Sequence, residues 1–439
     1  MHGITEASRW WTKAAVTVLA IVLYRVGQAL PSPGVDVAAL SAAADAAVRT
    51  DPFYGLAELF SGGGLLRLSV FGLGVLPFAA ATFIVQLLVL TVPRMRALAT
   101  AGRPGIARIE RYIRILTLVL GALAGTGVAF AAAQGHFPGG EVLTGTGVPD
   151  ILLIAACMTA GTAATTWLIR LISVRGFGDG LTVLFFVQLA AVFPGLLLDV
   201  RATDGDGVFV AASLAVLVSA ALVVVAVTVL GRAERRVPVQ YARRMIGRRT
   251  HGGTPTYIPI RVDDAGLFPM LTVAALLHVP AVTARLWPGG GLPDGVWTLP
   301  RQASLWFLAA LFVLVALLTF LRAPTVTDHH ALTRRLQREG AFVPAIRPGR
   351  PTAEYLDYVR TRVGALTPLT LGAVAVLPYA ALALAGAGAT APVTGTAVLV
   401  LVSSALTTVS RVLGQAGIER QIRLFAPFLP PSPRTTGDG

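Results

Sequence analysis

The chain has 439 residues, of which 55% are hydrophobic and 13% charged. A soluble globular protein carries about 25% charged residues, so this composition, with a mean hydropathy of +0.72, excludes a water-soluble domain and points to a bilayer. The net charge of +14 does not mark a nucleic-acid binder, because the arginines sit at the ends of apolar runs, where they meet anionic headgroups and set orientation.

A helix needs about 20 mostly apolar residues to cross a ~30 Å hydrocarbon core. Ten windows qualify, in chain order 14–30, 72–93, 115–134, 150–172, 180–199, 208–230, 266–285, 303–322, 366–388 and 393–412. Arg9 and Lys13, the only lysine, precede Ala14–Leu23 much as in a secretory signal. Arg25 interrupts that run and no small-x-small cleavage site follows, so the segment reads as a retained first span. In hydrocarbon Arg25 would cost about 2.5–3.5 kcal/mol, so it must pack against protein or snorkel. Cys157 is the single cysteine; it permits no internal disulfide and reads as a small core residue.

Between the first two windows, Leu56–Ser69 is too short to span and too apolar to float in water. It reads either as a re-entrant element buried at membrane depth or as an external loop packed on helix ends. The segment between spans two and three carries Arg94, Arg96, Arg103, Arg108, Arg111 and Arg114. Arginines also crowd the connections between spans six and seven and between eight and nine, whereas Asp36, Asp45, Asp51, Glu58, Glu141, Asp199, Asp204 and Asp206 lie on the opposite loops. This asymmetry places the basic loops and both termini in the cytoplasm.

Two of the basic loops, about 231–265 and 323–365, have patterned sequences. Arg235–Arg244 and Thr256–Val262 alternate polar and apolar residues around Gly252-Gly253, which predicts a two-stranded hairpin. Residues 328–339 predict a helix behind an Asp328 N-cap, and Ile346-Arg-Pro-Gly349 a rigid turn. Arginine forks with Tyr241, Tyr257, Tyr355 and Tyr358 suit a docking surface, although topology alone would also explain the charges. No phosphate-binding glycine loop, metal-ligand cluster or nucleophile–base pair is present, and His329-His330 reads as a solvated helix start. No cofactor is expected, and Pro430–Gly439 reads as a disordered tail.

Six phrases in order on this scaffold resemble the SecY family, the pore subunits of bacterial protein translocases. They are Tyr24-Arg-Val-Gly27 with Pro31–Asp36; Leu59-Phe-Ser-Gly-Gly63 with Leu73–Pro77; Arg175–Gly180; Arg235–Arg244; Thr256–Pro259 with Ala265-Gly266; and Ile346–Tyr355. The resemblance runs from about Arg9 to Leu429. It implies an all-α polytopic membrane protein of ten transmembrane helices in two inverted five-helix halves, 14–200 and 201–412, flanked by cytoplasmic segments 1–13 and 413–439, with a re-entrant plug helix and a cytoplasmic β-hairpin.

The same resemblance implies site residues. A plug helix would cover Phe60, Ser61, Gly62, Gly63, Gly64, Leu65, Leu66, Arg67 and Leu68 within about 56–70. The pore ring would be Val75, Ala79, Leu181, Phe185, Leu271 and Val400. Ala79 is small and Phe185 large where isoleucine is usual, so the waist is expected to be lopsided or compensated by Phe185 reaching across. Gln86 and Thr272 would line a lateral gate into lipid. Arg235, Arg236, Tyr241, Arg243, Arg244, Arg248, Arg249, Arg347 and Arg350 would dock SecA or the ribosome, with SecE and SecG as membrane partners and unfolded preproteins as substrates. Thr407-Thr408 departs from an aspartate frequent in span ten, which leaves open an accessory paralogue with restricted cargo. An inverted-repeat secondary transporter is the rival from another class, but the spans lack the intramembrane carboxylates it would need.

Overall fold

The computed structural model describes residues 2–37, 40, 43–44, 46–47, 52–135, 140, 142–143, 145, 147–232, 234–241, 244–246, 249–251, 256–261, 273, 305–322, 333, 336, 341–344, 346–347, 349–386 and 395–409. Helix α1 is His2–Ala29, α2 Pro52–Ser61, α3 Leu76–Thr91, α4 Pro93–Thr100, α5 Arg103–Ala133 and α6 Val148–Arg175. After the turn 176–179 come α7, Gly180–Ala202, and α8, Gly205–Leu230, which meet at a break where Gly205 has φ 87°. Beyond the basic loops lie α9 Leu305–Arg322, α10 Arg350–Gly364, α11 Thr367–Leu384 and α12 Gly395–Val409.

Prolines start many of these helices. Pro77, Pro93, Pro104, Pro149, Pro351 and Pro368 occupy the first two positions of α3, α4, α5, α6, α10 and α11. At a helix start the missing N–H costs nothing, and in hydrocarbon it removes a donor that would find no partner. Threonines in the apolar helices meet the same constraint by bonding back one turn, as Thr117 does to Ile113, Thr166 to Thr162 and Thr319 to Val315.

Five described helices are long and apolar enough to cross a membrane, or six if α3 and α4, bent by 106° at Pro93, form one broken span. Leu305–Phe320 and Gly395–Val409 are shorter apolar helices. The expected span 266–285 lies outside the described residues apart from Val273, as do the helix at 328–339, apart from Thr333 and Leu336, and the tail. Val119, Leu123, Leu152, Trp167, Leu214 and Leu217 expose their side chains, so the apolar surface faces outward, as a lipid environment requires. One expectation is corrected here. Arg94 and Arg96 ride on α4, and Arg103 to Arg114 lie on α5 itself, so the arginines between spans two and three extend helices instead of a loop.

Helix α6 is a central post: α5, α1 and α7 all pack on it, α3 leans on α5, and α2 packs on α7. On the other side α11 joins α9 to the α7–α8 pair. The main apolar core draws Ala20 and Tyr24 from α1, Leu59 and Phe60 from α2, Ile172 from α6, Leu184 and Leu189 from α7, and Ala397 and Val400 from α12.

The two patterned loops form one unit. Strands β1 Glu234–Tyr241 and β4 Thr256–Arg261 pair antiparallel, with Val237 opposite Ile258, as the alternation predicts. A smaller hairpin, β2 Arg244–Ile246 with β3 Arg249–His251, is nested between them. From the second loop, β5 Ala341–Phe342 adds to the far edge of β1, giving the order β4-β1-β5. Val237, Val239, Ile260, Val343 and Leu356 then close a common core.

Candidate functional site

Four of the six expected ring residues meet in the main core. Val75, at the N-cap of α3, Phe185 of α7 and Val400 of α12 are buried to 0%, 2% and 1% exposure, and Leu181 packs against them. Ala79, one turn beyond Val75 on α3, is half-buried and stands outside that cluster. Leu271 and Thr272 lie outside the described residues, and Gln86 is half-buried on α3. The Phe185 ring stands edge-on to Phe60, centroid to centroid 6.4 Å. The result is an apolar centre shared by residues far apart in sequence and capped by α2.

The segment expected as a plug is built differently from the expectation. The helix spans Pro52–Ser61, so Phe60 and Ser61 end it, and the chain from Gly62 to Leu68 runs in turns. The reason is local: Gly62 and Gly63 adopt φ 70° and 84°, left-handed values that stop a helix. Gly63 N donates to the Glu58 carbonyl at 2.9 Å and Leu65 N to Ser61 Oγ at 3.3 Å, which closes the helix end. Gly64, Leu66 and Leu68 are buried, Leu65 is half-buried and Arg67 is exposed. Leu68, at φ 46°, is the one described non-glycine residue with positive φ, and its carbonyl accepts from Ser32 N at 2.9 Å. The chain thus returns to the end of α1 before α3 begins.

Sequence reasoning missed the polar groups that meet the end of α2. Tyr24 Oη donates to Gln188 Oε1 at 2.5 Å, and Gln188 Nε2 donates to the Phe60 carbonyl and, at 3.5 Å, to that of Leu59. Gln28 Nε2 donates to the Ser61 carbonyl at 2.9 Å. Arg25 Nη1 donates to Gln28 Oε1 at 2.7 Å and to the Gly62 carbonyl at 3.4 Å. Arg25 therefore packs against protein, and its charge lies at the negative end of the α2 dipole. The available signals were Tyr24 and Gln28 at i, i+4 on one helix face and a glutamine within an apolar span.

On the loop unit, Arg235, Arg236, Arg347 and Arg350 are exposed. The Arg236 guanidinium lies 4.8 Å from the Tyr257 ring centre, and Arg362 lies 5.3 Å from that of Tyr358. Arg350 pairs with Glu354 at 2.9 Å. The turn carrying Arg347 is fixed by Ile346 N donating to the Val343 carbonyl and by Thr352 Oγ1 donating to the Arg347 carbonyl at 2.9 Å. Tyr241, Arg244 and Arg249 lie on strands, while Arg243 and Arg248 are outside the described residues. Tyr355 differs from the expectation: it packs against the unit's own core, whereas Tyr257 and Tyr358 are exposed.

Comparison with known proteins agrees with this architecture. The SecY family model matches residues 69–409. The protein translocase subunit SecY of Streptomyces coelicolor is 38% identical over 421 residues, covering 92% of this chain and 94% of that protein. Among solved structures, a SecY studied for how its plug domain stabilises the closed channel superposes with a TM-score of 0.61 at 16% identity, covering 93% of this chain and 92% of that one. Sec61 in a canine ribosome–channel complex superposes with a TM-score of 0.56 at 14% identity, covering 93% of each chain. At these identities the two structures speak for the fold.

Proposed function

The chain belongs to the SecY family of protein translocase subunits, and we propose that it conducts unfolded preproteins across the cytoplasmic membrane and releases membrane segments sideways into lipid. The observation that carries this reading is the main apolar core, in which Phe60 of α2 meets Val75, Phe185 and Val400. An apolar constriction excludes water and ions without offering hydrogen bonds to a peptide, so it seals around any sequence. In this reading Val75, Ala79, Leu181, Phe185, Leu271 and Val400 form the ring. The segment from α2 through Leu68 is the plug that must leave when a chain enters. Gln86 and Thr272 line the seam through which an apolar segment escapes.

The channel itself performs no catalysis; the driving energy comes from SecA, from a translating ribosome or from the membrane potential. The loop unit is the docking platform, with Arg235, Arg236, Arg347 and Arg350 presented on a folded core beside Tyr257 and Tyr358. SecE and SecG are the membrane partners, the halves 14–200 and 201–412 are inverted repeats, and both termini lie in the cytoplasm. Depleting the protein in its host and identifying which exported proteins accumulate inside tests this function. Broad accumulation is expected; a narrow set would assign an accessory channel, and no accumulation would contradict the proposal.

A further inference from the structure

The end of a helix leaves four carbonyls without intrahelical partners, and leaving them unpaired in a dry core is costly. At α2 the carbonyls of Leu59, Phe60, Ser61 and Gly62 instead meet side-chain donors from two other helices, Gln188 on α7 and Gln28 and Arg25 on α1. Gln28 is 3% exposed and Gln188 0%. The arrangement is reciprocal: Gln188 Oε1 is held by Tyr24 Oη, and Gln28 Oε1 by Arg25. Each amide is therefore oriented with its N–H aimed at α2.

The backbone makes room for these amides. A Cβ on Gly74, which has φ 56°, would lie 2.7 Å from Gln188 Oε1 and 3.2 Å from Tyr24 Oη. One on Gly62 would collide with both Gln28 and Gln188. Apolar contacts alone let a segment slide; donors fixed against one helix end define one seat. When α2 departs, its carbonyls must find water and the two glutamines lose their acceptors, so the exchange has a fixed cost that the apolar ring does not supply.

We propose that Gln188 and Gln28, held by Tyr24 and Arg25, are a latch on the helix end that sets how rarely α2 leaves its seat in the resting channel. Gln188 is a positioning residue: it acts on the seal through α2. This inference rests on the reading of α2 through Leu68 as the plug, and the experiment separates the two.

The full chain, with its co-purifying subunits, is reconstituted in vesicles, and resting ion leak is measured without motor or preprotein. Gln188→Leu, Gln28→Leu and Tyr24→Phe are compared with deletion of 52–68. In a Cys157→Ala background, Leu66→Cys, at a position 3% exposed, reports plug departure through its labelling rate by a membrane-impermeant maleimide. Each glutamine variant is expected to raise both leak and labelling about tenfold, equivalent to about 1.4 kcal/mol, while the chain still inserts and purifies folded. Tyr24→Phe, which removes one hydroxyl, gives a smaller rise and serves if a glutamine variant does not fold. If the deletion raises leak while these variants stay at the parent level, the latch is wrong and the plug stands. Leak without faster labelling also overturns the latch. If the deletion leaves leak unchanged, the plug reading fails.

Discussion

Phe60, the penultimate residue of α2, sets its ring edge-on to Phe185 of α7, with centroids 6.4 Å apart and planes inclined by 66°. This contact ties the capping helix to the apolar core around Val75 and Val400. An aromatic pair in this geometry contributes about 0.5–1.5 kcal/mol beyond its buried area. Phe60→Ala and Phe185→Ala are each expected to raise resting leak, and the double variant to fall short of the product of the two effects by a coupling of ~1 kcal/mol. Independent effects in that cycle would show that the rings do not act together.

In the loop unit the buried core and the exposed arginines are separate. Leu356 is fully buried with Val237 and Val343, whereas Arg347 is exposed on a fixed turn. Burying a carboxylate among those side chains costs several kcal/mol. Leu356→Asp should therefore open the loops to limited proteolysis in membranes. Arg347→Glu should keep the parent's protease resistance and membrane insertion yet abolish secretion. Normal secretion by Arg347→Glu would count against docking at this turn.

Close backbone approach makes a third expectation. Gly161 of α6 faces the Val70 carbonyl so closely that any Cβ would collide with it. That strand of chain is held from behind by Val70 N donating to the Leu30 carbonyl at 2.9 Å. Gly161→Ala should destabilise by about 1–3 kcal/mol, read as a lower denaturation midpoint in detergent. Gly127, on α5, where an added Cβ would meet nothing within 4 Å, is the control: Gly127→Ala should be neutral or stabilising by about 0.5–1 kcal/mol. Equal effects at the two sites would contradict the packing described.

The windows 115–134, 150–172, 180–199 and 208–230 were legible because a bilayer imposes one length on every span, and the β1–β4 hairpin because strand alternation survives in Val237, Val239, Ile258 and Ile260. The placing of the capping helix was not. Its expected position ran over Gly62–Gly64, and those glycines are where the helix stops. Gln188 escaped notice because one amide in an apolar run does not reveal that it faces a helix end. The shared core of the loops was hidden for another reason: Val237 and Leu356 meet only through long-range folding, which no local pattern encodes.

The most direct measurement is cross-linking from a preprotein arrested halfway through the channel. Single cysteines at Phe185, Val75 and Val400 are paired with a cysteine in the arrested chain, with a cysteine at Leu214, exposed on the outward face of α8, as the reference. The waist positions should each cross-link to the preprotein, dependent on motor and ATP, while Leu214→Cys does not. Cross-links at Leu214→Cys with none at the waist would mean that the chain does not pass through the apolar centre.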